Sequence, residues 1–104
     1  MKRIIDQHIL ALFGDFKGRG FRFGDIFKYF MKRGTFHNQS DIWKNLEFLL
    51  EQEQIVKVRG MTRNFYGIPL VRENGSKYLI INQGIENEEI EVEEVSKPKG
   101  PQEP

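Results

Sequence analysis

The residues around Gln54 constrain this chain more than any others. There the spacing of apolar side chains changes from about 3.6 residues to about 2. Ahead of Gln54, Ile42, Leu46, Leu49 and Leu50 share one side of a predicted helix, and Trp43 flanks that side as a further core residue. Asn38 is the candidate N-cap of this helix, with Asp41 three residues on. After Gln54, Ile55–Arg59 reads as a strand, Gly60–Asn64 as a loop and Phe65–Ile68 as the returning strand. A helix that feeds directly into a hairpin requires an α+β domain whose helices cover one face of the strands.

Two more helices precede this unit. Ile4, Ile5, His8, Ile9, Leu12 and Phe13 predict the first over about Lys2–Phe13, with an apolar stripe wider than one core contact needs. Lys17-Gly18-Arg19-Gly20 reads as a mobile basic loop, and Phe21-Arg22-Phe23 as a very short strand. The second helix is expected from about Asp25, a carboxylate suited to the helix dipole, and it ends at Lys32-Arg33-Gly34. Ile26, Phe27, Phe30 and Met31 form its buried face. Beyond the hairpin, Pro69 marks a strand end. Asn74-Gly75 then predicts a second hairpin joining Leu70–Arg72 to Lys77–Ile81. The apolar run Tyr78–Ile81 predicts burial on both faces, which together with the wide first-helix stripe suggests a homodimer.

The net charge of +1 conceals two electrostatic objects. Residues 1–82 carry 14 Lys/Arg against 8 Asp/Glu, whereas residues 83–104 carry 2 Lys against 7 Glu. The expected organisation is one basic domain over 1–82 and a disordered acidic, Pro-rich tail over 83–104. No apolar run approaches the roughly 20 residues of a membrane span. The start, Met1-Lys2-Arg3-Ile4-Ile5-Asp6, lacks a secretory pattern, so a cytoplasmic location is expected.

Chemistry-bearing motifs are missing from the sequence. It has no Cys, no Walker-type loop and no Ser, His and acid cluster, and Gly18, Gly20 and Gly24 miss the dinucleotide spacing. His8 reads as a core histidine, and His37 has no second ligand at metal-binding spacing. The expectation is a protein that is not an enzyme and uses no cofactor or metal.

The order helix, short strand, helix, helix, strand, loop, strand over about Ile4–Leu70 resembles the winged helix-turn-helix superfamily, small archaeal and viral regulators in particular. The stretch Asn38–Val58 carries the resemblance: a polar cap, apolar anchors, Leu46-Glu47-Phe48-Leu49, an acidic helix end and a β-branched strand. It implies a winged helix-turn-helix with an extra C-terminal β-hairpin. It further implies a transcriptional regulator that places its third helix in the major groove of double-stranded DNA. The chain departs from the pattern in having Gln54 where many relatives have Gly, and in carrying Asp41, Glu47 and Glu51 on the exposed side of that helix.

On this reading, Gln39, Ser40, Lys44 and Asn45 face base edges. Arg59, Arg63 and Asn64 of the wing reach a neighbouring phosphate or the minor groove, and Arg19 and Arg22 clamp the backbone. The acidic exposed side and Phe48 fit an alternative, a winged-helix module that binds protein and never touches DNA. The tail, with Glu86 to Glu94 and alternating Ile90, Val92 and Val95, is expected either to compete with DNA for the basic face or to engage a protein partner.

Overall fold

The computed structural model describes residues 4–84 and 86–93. They form a small α+β domain of three helices and two small antiparallel sheets, an arrangement compatible with a winged-helix layout. The helices are α1 (Ile4–Asp15), α2 (Phe23–Lys32) and α3 (Gln39–Glu51). The strands are β1 (Val56–Arg59), β2 (Asn64–Gly67), β3 (Leu70–Val71), β4 (Lys77–Asn82) and β5 (Asn87–Glu91). None of the helices is long and apolar enough to cross a membrane.

The helical core follows the apolar periodicity. Ile9, Leu12 and Phe13 of α1 meet Ile26 and Phe30 of α2 and Ile42, Leu46 and Leu49 of α3, and Ile55 and Tyr66 close the cluster. Ile5 and Leu10 pack at its margin, so the wide α1 stripe is largely consumed within the chain. The predicted start of α1 at Lys2 lies outside the described residues. At its other end the helix continues through Gly14 to Asp15.

The caps show why α3 begins and ends where it does. Asn38 Oδ1 accepts from the Ser40 backbone N–H and hydroxyl, both at 2.9 Å. The helix ends at Glu51 rather than near Gln54. Glu53 takes the left-handed conformation (φ 59°), and its N–H and that of Gln54 turn back to the Leu50 and Leu49 carbonyls. This is the closure that glycine usually serves, made here by a glutamate.

Two segments differ from the sequence expectation. Lys17–Gly20 is not a mobile loop: Gly18 N–H donates to the Ile68 carbonyl at 2.7 Å, and Gly18 and Gly20 exchange backbone bonds with Ile80 at 2.7 and 2.9 Å. Gly18 has φ +91°, and a β-carbon there would meet Leu70 Cγ at 2.6 Å, so glycine permits this docking. The strand expected at Phe21–Phe23 reduces to isolated bridges, Phe21 with Tyr66 and Arg19 with Ile80. Phe23 already belongs to α2, and Arg22 is that helix's N-cap.

The largest correction concerns the acidic tail. Residues 87–91 are not disordered but form β5, paired antiparallel along β4 from Tyr78↔Glu91 to Asn82↔Asn87. The alternation that places Ile90 and Val92 on one face gives the reason. They pack onto a second cluster of Val58, Phe65, Leu79 and Ile81. The β1–β2 hairpin therefore lies between two cores, with Tyr66 facing the helices and Val58 and Phe65 facing the β3–β4–β5 sheet. On the other face of that sheet Arg72 lies 4.0 Å over the Tyr78 ring and reaches Glu89 at 2.9 Å and Glu91 at 3.4 Å. In β4, Leu79 and Ile81 are buried and Tyr78 and Ile80 half-buried. Val95 and the Lys/Pro-rich end of the tail lie outside the described residues.

Candidate functional site

The helix α3 and the hairpin β1–β2 meet through three rings. Trp43 stands edge-on to Phe23 of α2 (5.7 Å, 72°) and to Tyr66 of β2 (6.3 Å, 84°). Trp43 is nevertheless 44% exposed, which corrects its placement in the core. The hairpin register sets what accompanies it. Lys57 pairs with Tyr66 and Arg59 with Asn64, so these four residues share the face of the hairpin that turns toward α3. Burial raises the Tyr66 pKa, while its hydrogen bond from Asn64 works the other way and the nearby Glu47 charge adds to the rise.

Seen from α3, Gln39, Ser40 and Lys44 are exposed beside Trp43, and Arg59 and Arg63 are exposed on the β1–β2 hairpin. Lys44, Arg59 and Arg63 have no ion-pair partner among the described residues. Gln39, Ser40 and Lys44 thus stand on α3, and Arg59 and Asn64 on the hairpin that α3 meets through Trp43 and Tyr66, where the Glu47 charge also acts. Arg63 sits at the turn between β1 and β2, where its carbonyl accepts from the Gly60 N–H at 2.7 Å.

Three of the sequence candidates behave differently. Asn45 is 5% exposed and faces inward, with Nδ2 donating to the Asp41 carbonyl at 2.6 Å, so it is not available to a groove. It falls three residues after Ile42 and four before Leu49, the spacing of the buried arc, and that periodicity identifies it as internal. Arg22 grips Asp25 with Nε and Nη2 at 3.1 and 3.2 Å. This hydrogen bond and the Asp25 charge raise its pKa and offset its charge locally. Arg19 is exposed, but its backbone is fixed between β2 and β4.

A contact the sequence did not disclose lies behind α3. His8 Nδ1 and His37 Nε2 are 2.9 Å apart, so one imidazole N–H donates to the other ring and ties α1 to the turn before α3. Phe30 packs against both rings. Burial lowers the His37 pKa, the proximity of His8 lowers it further, and Asp41 opposes both. With a folded pKa below the unfolded value of 6.5, this group's contribution is complete above that pH and is lost as pH falls through the folded pKa. We expect His37→Gln to flatten the fall of the thermal midpoint between pH 7.5 and pH 5. Parallel profiles for the two proteins would show the pair to be silent. No cluster of three or more metal-ligating residues occurs among the described residues.

Comparison of the chain with protein-family models, with curated proteins and with solved structures finds no match in any of the three.

Proposed function

We propose that the domain is a winged helix-turn-helix that binds double-stranded DNA as a regulator. In this reading the N-terminal half of α3 enters the major groove and the β1–β2 wing lies on the adjacent backbone. One observation carries it: unpaired Lys44, Arg59 and Arg63 stand on the two elements that meet at Trp43 and Tyr66. A duplex presents dense phosphate charge and a groove wide enough for one helix, which suits a cationic ridge of this build. Gln39 and Ser40 would read bases, and Asn45 is withdrawn from the reading set. Asp41 is exposed in the first turn of α3 and Glu47 and Glu51 farther along it, so contact is confined to the side that carries Gln39, Ser40 and Lys44. Pairing of two copies would give two half-sites one helical turn apart.

The same carboxylates favour a second reading, in which α3 docks a protein partner and DNA is not bound. The triple variant Lys44→Glu, Arg59→Glu, Arg63→Glu separates the two. For the parent we expect duplex affinity to fall steeply with salt. In the variant we expect a loss of at least about 100-fold and a log–log salt slope reduced by about 3, near one per phosphate contact. Parent binding that is indifferent to salt, or a variant that binds as the parent does, rejects the DNA reading.

A further inference from the structure

The wing turn does not project freely into solvent. Met61 donates its backbone N–H to Gln83 Oε1, and Gln83 Nε2 donates to Glu88 Oε1 at 2.6 Å. A β-carbon on Gly60 would meet Phe65 Cε1 at 2.5 Å and Gln83 Oε1 at 2.7 Å, so this corner is closely packed. Between the wing turn and the turn joining β4 to β5 opens a cleft of about 410 Å³, within the common range of small-ligand sites.

The lining of this cleft has a definite chemical character. Arg22, Arg63, Asn82, Gln83, Phe65 and Met61 line it, and no acidic residue does among the described residues, although Asp25 is bonded to Arg22 and Glu88 to Gln83. Arg22 is immobilised by its two bonds to Asp25, while Arg63 has no ion-pair partner among the described residues. The Arg63 guanidinium fork matches phosphate oxygens, and Arg22, whose Nε and Nη2 already hold Asp25, retains its Nη1 donors for a further anion oxygen.

We propose that this cleft binds a phosphate monoester of about mononucleotide size. Its phosphate lies between Arg22 and Arg63, and its body lies against Phe65 and Met61. The inference goes beyond base reading by α3, but it shares Arg63 with the backbone contact proposed for the β1–β2 hairpin. Because Gln83 both lines the cleft and holds Met61, an occupant bears directly on the set of the wing.

The test is amide-resolved NMR titration of the full chain with adenosine monophosphate, inorganic phosphate, adenosine and a short duplex at constant ionic strength. Adenosine monophosphate is expected to give saturable shifts at Met61, Thr62 and Gly84. Inorganic phosphate is expected to move the same amides more weakly, and adenosine to bind at least about ten-fold more weakly than its phosphate. Arg63→Gln, at an exposed site that leaves the fold intact, is expected to weaken the monophosphate about ten-fold, and Arg22→Lys less. Shifts that do not saturate, or an affinity unchanged in Arg63→Gln, overturn the proposal. Saturation by the duplex but not by the monophosphate also overturns it, and assigns the cleft to the nucleic-acid backbone.

Discussion

A chain ended after Asn82 is expected to lose a large share of its stability. The cut removes β5, and with it the ladder of backbone bonds along β4 from Tyr78 to Asn82. It also removes Ile90 and Val92, which cover Leu79, Ile81, Val58 and Phe65. Losing two half-buried β-branched side chains and re-exposing part of that cluster costs about 3 kcal/mol. The Arg72 pairs with Glu89 and Glu91 are exposed and add little. Domains of this size hold only about 5–15 kcal/mol in total. At about 4–8 °C per kcal/mol, the thermal midpoint should fall by about 12–24 °C. The freed edge of β4, with its apolar residues, should also promote aggregation. Circular dichroism melts of the two chains check this, and midpoints within about 5 °C of each other would show that β5 contributes no cover. A change in DNA affinity on truncation therefore cannot be read as release of an inhibitory tail until folding is measured alongside it.

The sequence disclosed the parts of this fold that have local causes. The change of apolar spacing at Gln54 located α3 and β1, and Asn38 marked the cap that the Ser40 N–H confirms. Asn74-Gly75 marked the turn into β4, with Gly75 at φ +93°. What it concealed depends on partners distant in the chain. Ile90 and Val92 alternate as strand residues do, but net acidity argued for disorder until β4 supplied a face on which to bury them. Gly18 and Gly20 look like loop residues because nothing nearby in sequence shows that Ile80 will bond to their backbone.

The candidate site divides along the same line. The exposure of Lys44, Arg59 and Arg63 follows from their positions on a helix and a hairpin, and that much is legible in the sequence. Asn45 is polar but lies within the arc of Ile42, Leu46 and Leu49, and its period, not its polarity, decides that it is internal. The same arc suggests a core position for Trp43. It lies at the arc's edge, where Phe23 and Tyr66 contact the indole without covering it. The His8–His37 contact joins residues 29 apart in sequence, and no local pattern reports it.

Gly67→Ala is expected to be the most disruptive Gly→Ala change among the described glycines. Gly67 ends β2 opposite Val56, and an added β-carbon would fall on the Arg19 carbonyl oxygen and 3.2 Å from Leu79 Cδ2. The Arg19 backbone has nowhere to retreat. Its N–H is held by the Phe16 carbonyl at 2.9 Å, its neighbours Gly18 and Gly20 are bonded to Ile80, and Phe21 exchanges two 2.8 Å bonds with Tyr66. Overpacking against a fixed backbone costs about 3 kcal/mol, which lowers the thermal midpoint by about 12–24 °C. The same substitution at Gly14 should have the opposite sign. Gly14 lies within α1 with nothing within 4 Å of a β-carbon, so alanine there should add about 0.5–1 kcal/mol through helix propensity alone. Paired denaturation curves read the two effects directly, and a Gly67→Ala protein as stable as the parent would contradict the close approach of β2 to Arg19. Because Tyr66 precedes Gly67 and supports Trp43, a rescued but loosened Gly67→Ala protein should also lose the fixed angle between the wing and α3. On the DNA reading this appears as weaker duplex binding with an unchanged salt slope, since the cations remain and only their alignment is lost.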